Sequence, residues 1–184
     1  CTAQIIVAPD EAAAVKASIE QAAAEIAQEF KASDPDLKLT VSEETDCSES
    51  AISAKDSARV IALIEALPNG IIRMRREIDK LVETSLNLGV LKSDDAAVTL
   101  RHAVRSSVGV AKKSLKNQLV CIAGAFAAEV TFEGDYPAWE YKKDSKLRED
   151  MVRIFEEMYG KKPTVKAIHA GVECGLLSGK IEGR

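Results

Sequence analysis

The sequence predicts an α+β fold: a two-layer sandwich with a mainly antiparallel sheet, helices over one face of it and the other face open. Two observations predict it. Val82, Thr84, Leu86, Leu88 and Val90 alternate, a polar turn Lys92-Ser93-Asp94-Asp95 follows, and Val98, Leu100, His102 and Val104 alternate after it. That period of two is the signature of an antiparallel hairpin with one buried face. On both sides of the hairpin, apolar residues recur instead at helical spacing, so strands and helices alternate along the chain.

In order, Thr2 to Val7 reads as a strand and Asp10, after Pro9, as the N-cap of a first helix. Val15, Ile19, Ala22, Ile26 and Phe30 form its apolar side, and Pro35 ends it. Leu37 to Val41 alternates as a short strand, and the polar run Ser42 to Ser50 reads as a loop. From Ser53, a second helix carries Val60, Ile61, Ile64 and Leu67 on one side and stops at Pro68-Asn69-Gly70. After the hairpin, Val108, Ala111, Leu115, Leu119 and Ile122 make a third helix with Lys112, Lys113 and Lys116 outward, and Val130 and Phe132 mark another strand.

Composition shifts at Gly134-Asp135-Tyr136-Pro137-Ala138-Trp139, which holds the single Trp, and a domain boundary is placed there: residues 1–134 and 135–184. A fourth helix runs from a cap at Asp144 or Ser145 through Leu147, Met151, Ile154, Phe155 and Met158 to Gly160. Pro163 to Ile168 reads as a short strand. It leads into the turn His169-Ala170-Gly171-Val172-Glu173-Cys174-Gly175 and a further helix start.

The chain has 184 residues, 46% of them hydrophobic, enough to bury a core. Its 25 Lys and Arg are interspersed with 29 Asp and Glu, for a net charge of -4, which points away from nucleic acid and anionic membranes and toward a small, mixed-charge partner. Apolar stretches such as Leu119 to Ala128 fall well short of the roughly 20 residues of a bilayer span, and the amino terminus has no basic-then-apolar leader, so a soluble cytoplasmic protein is expected. Cys1, Cys47, Cys121 and Cys174 are scattered, with no C-x-x-C pair, and are expected as free thiols. The ends read as those of a fragment: Cys1 runs straight into a strand-like segment, and Ile181-Glu182-Gly183-Arg184, which also matches a processing-protease site, follows a helix start.

His169, Glu173 and Cys174 are the densest chemical cluster. A Gly-flanked turn at the carboxyl end of a strand is where α/β proteins place ligand-binding groups, and a capped turn with a buried Cys174 is the alternative that stays open. Parity on the second hairpin strand puts Thr99, Arg101, Ala103 and Arg105 on the open face. A guanidinium there is shaped to grip a carboxylate, against the alternative of solvated surface charge. His102 falls on the apolar side and is expected to be a core histidine. Metal chemistry cannot be assembled from two histidines with no H-x-D or H-E-x-x-H, and no G-x-S-x-G supports a serine nucleophile.

Four ordered strings carry a resemblance: Ala66-Leu67-Pro68-Asn69-Gly70-Ile71-Ile72-Arg73-Met74, Leu81-Val82-Glu83-Thr84-Ser85-Leu86-Asn87-Leu88-Gly89-Val90, Gly134-Asp135-Tyr136-Pro137-Ala138-Trp139, and Ile168-His169-Ala170-Gly171-Val172-Glu173-Cys174-Gly175-Leu176. Together they resemble the aminoacyl-histidine (Xaa-His) dipeptidases, zinc metallopeptidases whose catalytic domain is interrupted by a lid domain. The resemblance implies that residues 1–134 are lid-type, a partial lid and dimerisation domain, and that 135–184 are a truncated α/β piece of the catalytic domain. It further implies that the zinc ligands lie in the rest of the parent and none in this chain. The chain would contribute substrate-binding residues only: Arg105 as a lid arginine, Gly171 as a pocket glycine, and His169 and Glu173 beside it. The partners it implies are a dipeptide substrate and the missing parts of the catalytic domain; an uncovered sheet edge is in addition a ready pairing surface for a homodimer. The alternative is a non-catalytic α+β module that dimerises or binds a small amino acid.

Overall fold

The computed structural model describes residues 1–44, 50–167, 169, 176–177 and 180. The chain divides into two compact units, Cys1–Ala54 and Lys55–Arg184.

The first unit contains helix α1 (Ala12–Phe30). It begins two residues beyond the expected cap: Glu11 occupies the N-cap position, and no side chain caps the helix. The helix ends at Phe30, whose carbonyl accepts the Ser33 and Asp34 N–H groups, so the turn is complete before Pro35 is reached. Val15, Ile19 and Ala22 of the apolar side line a shallow groove with Ile5 and Leu39. Thr2 to Val7 and Leu37 to Val41, both expected as strands, belong to no sheet. Alternation makes a segment ready for a ladder, and a strand exists only when a neighbour supplies the other half of its hydrogen bonds.

The second unit is built on a three-stranded antiparallel sheet in the order β1-β2-β3, with β1 Gly70–Met74, β2 Val82–Ser93 and β3 Val98–Ser106. Helix α2 (Ala54–Ala66) leads into it. Strand β1 has no counterpart among the expected elements, because its five residues are exposed throughout and show no alternation of burial. It is an edge strand, bulged at two places along β2. Just before it, the Asn69 side chain accepts the Leu88 N–H at 3.0 Å, extending the ladder past the start of β1. The β2–β3 turn is closed by Asp94, whose carboxylate accepts the Ala96 and Ala97 N–H groups at 2.9 and 3.0 Å.

Helix α3 (Gly109–Ala125) covers one face of this sheet. Leu86, entirely buried, packs with Leu115 and Leu119 of α3, flanked by Leu67 and Val104. Thr84, on the same face, is also buried; its hydroxyl reaches Ser106 Oγ at 2.9 Å. Ser106 Oγ in turn donates to the Val108 carbonyl and accepts from the Val108 N–H, so Thr84 is the donor and a buried hydroxyl is satisfied. The expected alternation holds as far as Leu88. A bulge between Leu88 and Val90 then shifts the phase, so Val90 pairs with Arg101 and is exposed instead of facing the core. Ile61, expected on the inner side of α2, is exposed as well.

Beyond α3 the chain turns back along the helix. Val130 and Phe132, expected to lie on a strand, belong to no sheet; Phe132 lies against α3 instead. Asp135 takes Lys112 Nζ at 2.7 Å and Lys116 Nζ at 2.9 Å, and Lys112 also reaches the Tyr136 carbonyl. The two ammonium groups lie over the Tyr136 and Phe132 rings. Two of the three lysines expected to point outward are thus covered by returning chain, and their hydrogen bonds hold the Asp135 carboxyl below its ordinary pKa. Helix α4 (Lys146–Tyr159) has both expected caps: Ser145 Oγ accepts the Arg148 N–H, and Gly160 adopts φ 67, the left-handed turn that suits glycine. No residue of α4 is buried. Pro163 to Ala167 form no strand, and Ile168 lies outside the described residues.

This packing fixes what core and surface substitutions should do. Leu86→Ala leaves a cavity under α3 and should lower the free energy of unfolding by about 2–5 kcal/mol in urea titration, whereas Val110→Ala, at a side chain 80% exposed, should stay within about 0.5 kcal/mol. The C-terminus of α3 closes with Ala128 N–H on the Ala123 carbonyl and Ala127 N–H on that of Gly124, a Schellman motif with Ala127 at φ 52. Ala127→Gly should therefore raise stability by about 0.5–1 kcal/mol, because the left-handed conformation is strained for alanine.

Candidate functional site

The register of β2 on β3 decides what stands on the face away from α3. Ser85 is the partner of Arg105 and Asn87 that of Ala103, so Ser85 and Arg105 project side by side from the open face. Arg101 lies on the same face but four residues back, opposite Val90 beyond the bulge. At a rise of about 3.3 Å per residue, the two arginine backbones stand roughly 13 Å apart, so Arg105 and Arg101 have different neighbours. Arg105 is exposed, and its guanidinium is open to a ligand.

His169 arrives at this point from a distant part of the chain. Its Nε2 lies 2.8 Å from Ser85 Oγ, and the ring is partly buried. Burial, then the nearby Arg105 charge, hold the imidazole below its ordinary pKa, while a backbone hydrogen bond at Val82 acts in the opposite sense. Ser85, Arg105 and His169 therefore form one polar cluster: a permanent cation, a histidine biased toward its neutral form, and a hydroxyl joined to it. Gly171, Glu173 and Cys174 lie outside the described residues.

The edge of this face carries a further carboxylate. Glu83 is mostly buried, 3.6 Å from Arg73, and its Oε1 makes no hydrogen bond. The Arg73 contact is therefore electrostatic only. On the covered face His102 is half-buried, and burial lowers its pKa. Among the described residues no three His, Cys, Asp or Glu side chains come together as metal ligands, and no helix is long and apolar enough to cross a membrane. Cys1 and Cys121 are free and exposed.

Ser85 is absent from the candidates that sequence reasoning supplies. The signal was present: the parity that put Arg105 on the open face also puts Ser85 there. What parity cannot supply is the register that makes the two direct neighbours.

The two histidines set a pH dependence. Both have folded pKa values below that of the unfolded chain, so the unfolded state binds these protons first as the pH falls. Their contribution to stability is fully present above about pH 6.5 and is lost as the pH drops through the folded values. In NMR titration, Arg105→Ala should raise the His169 pKa by removing a neighbouring positive charge and leave His102 unchanged.

No family model matches the chain. It is 32% identical over 127 residues to the cytosol non-specific dipeptidase of Escherichia coli (strain K12), a stretch that is 69% of this chain and 26% of that protein. The crystal structure of aminoacylhistidine dipeptidase from Vibrio alginolyticus superimposes with a TM-score of 0.82 at 30% identity, covering 92% of this chain and 34% of that one. The chain thus spans about a quarter to a third of the length of the proteins it matches. In both sequence and fold, over the stretch it shares with them, this chain is similar to these dipeptidases.

Proposed function

We propose that the chain forms part of a cytoplasmic, zinc-dependent dipeptidase that hydrolyses Xaa-His dipeptides, and that it contributes substrate-binding residues and not the metal site. Residues 1–134 are its lid-type part and 135–184 belong to its catalytic domain. The observation that carries this reading is the meeting of Arg105, on one hairpin strand, with His169, 64 positions later in the sequence, at a single place on the open sheet face. Both residues are candidates from the sequence alone, without their proximity, and proteins similar to this chain in sequence and fold are dipeptidases.

Arg105 supplies a fixed positive fork that accepts the carboxylate of a dipeptide through two parallel N–H···O bonds. His169, biased toward neutrality, adds a hydrogen-bonding group without a second cation. Gly171 and Glu173 follow it in the same motif and are proposed to complete the pocket. The resemblance assigns the metal ligands to other parts of the enzyme, and no step of this reading passes through the metal; among the described residues no ligand set gathers. Its partners are then the dipeptide, the rest of the catalytic domain and a second copy of the chain.

The test is made in the full-length enzyme. Arg105→Ala should cost about 2–4 kcal/mol in kcat/KM, because it removes a charge-assisted contact to the substrate carboxylate, while Arg101→Ala should cost far less. Melting temperatures should be unchanged in both. Equal, small effects would make Arg105 a solvated surface charge. An enzyme without peptidase activity would favour the non-catalytic module, and equal rates on dipeptides with and without a C-terminal histidine would leave the carboxylate clamp but remove the Xaa-His preference.

A further inference from the structure

Ser85 has no role in the reading above, yet it is the residue that joins its two halves. It stands directly across the ladder from Arg105, and its Oγ lies 2.8 Å from His169 Nε2. The strand backbone is held here, because the next residue, Leu86, is buried under α3.

We infer that Ser85 is a positioning residue, which fixes the angle of the His169 imidazole beside Arg105; the inference rests on the substrate-binding reading above. An untethered imidazole in water rotates freely, so its nitrogens keep no fixed direction. A hydroxyl at 2.8 Å on Nε2, able to donate or accept, holds the ring at one angle beside Arg105. The benefit is one of orientation: a ring already aimed loses no binding energy to ordering when the dipeptide arrives.

Long-range 1H–15N NMR of the imidazoles in the whole chain reads this directly. Ser85→Ala should shift the His169 Nε2 resonance toward that of a solvated ring, with His102 unchanged. Ser85→Thr, which keeps the hydroxyl, should retain the wild-type pattern, and it provides the comparison should the alanine variant fold poorly. In the full-length enzyme Ser85→Ala should lower kcat/KM on the order of tenfold, and Ser85→Thr should restore most of it. An unaltered His169 Nε2 resonance in Ser85→Ala overturns the inference whatever the activity. A changed resonance with unchanged kcat/KM reduces Ser85 to a structural tie and overturns it as well. Full activity in Arg105→Ala strikes instead at the substrate-binding reading and leaves the NMR result standing.

Discussion

The second unit depends on the burial of Leu86 beneath Leu115 and Leu119. Because side chains alternate across a strand, placing Leu86 and Thr84 against α3 commits Glu83, Ser85 and Asn87 to the opposite face. The antiparallel register then commits Val104 to the core and Arg105 to the open side. A slip of one residue would exchange these sets, burying an arginine and exposing a leucine. The loss of apolar burial and the desolvation of the guanidinium would both oppose it. The hydrophobic contact on one face thus determines which polar groups can meet on the other.

The returning chain is held by a different kind of force. Asp135 binds two lysines of α3, and the aromatic rings of Phe132 and Tyr136 lie under their ammonium groups. Each such contact is worth little when exposed, but Lys112 and Lys116 are only 17% and 25% exposed, and together the contacts set the path by which the chain leaves α3. At the N-terminal end of the helix, the Gly109 N–H donates to Glu140, a carboxylate placed at the positive end of the α3 dipole. The strap is therefore fastened at more than one point along α3.

The open face combines properties that suit recognition of a small anion. An exposed arginine costs nothing to keep charged, and a histidine that burial biases toward neutrality adds hydrogen bonding without repelling the arginine. Ser85 and Arg105 are presented on paired strands and not on a loop, which favours a defined geometry. The proposed dipeptide-binding role uses this arrangement as it stands.

By itself the sequence determined the local elements whose causes are local. The hairpin, the apolar stripe of α3 and the two caps of α4 could all be read from period and residue type, because each is set by neighbours within a few positions. Tertiary structure decided the rest. Alternation at Thr2 to Val7, Leu37 to Val41, Val130 and Phe132 signalled strands, but among the described residues no pairing edge meets those segments, and pairing is a property of two segments. β1 formed without alternation because β2 offered an edge. Lys112 and Lys116, charged residues on a helix, were covered because Asp135 returned to them. Parity placed Arg105 on its face, and the resemblance marked His169 and Arg105 separately; only the ladder register and the return of the chain brought Ser85, Arg105 and His169 together, since a contact across 84 residues has no trace in the local order of side chains.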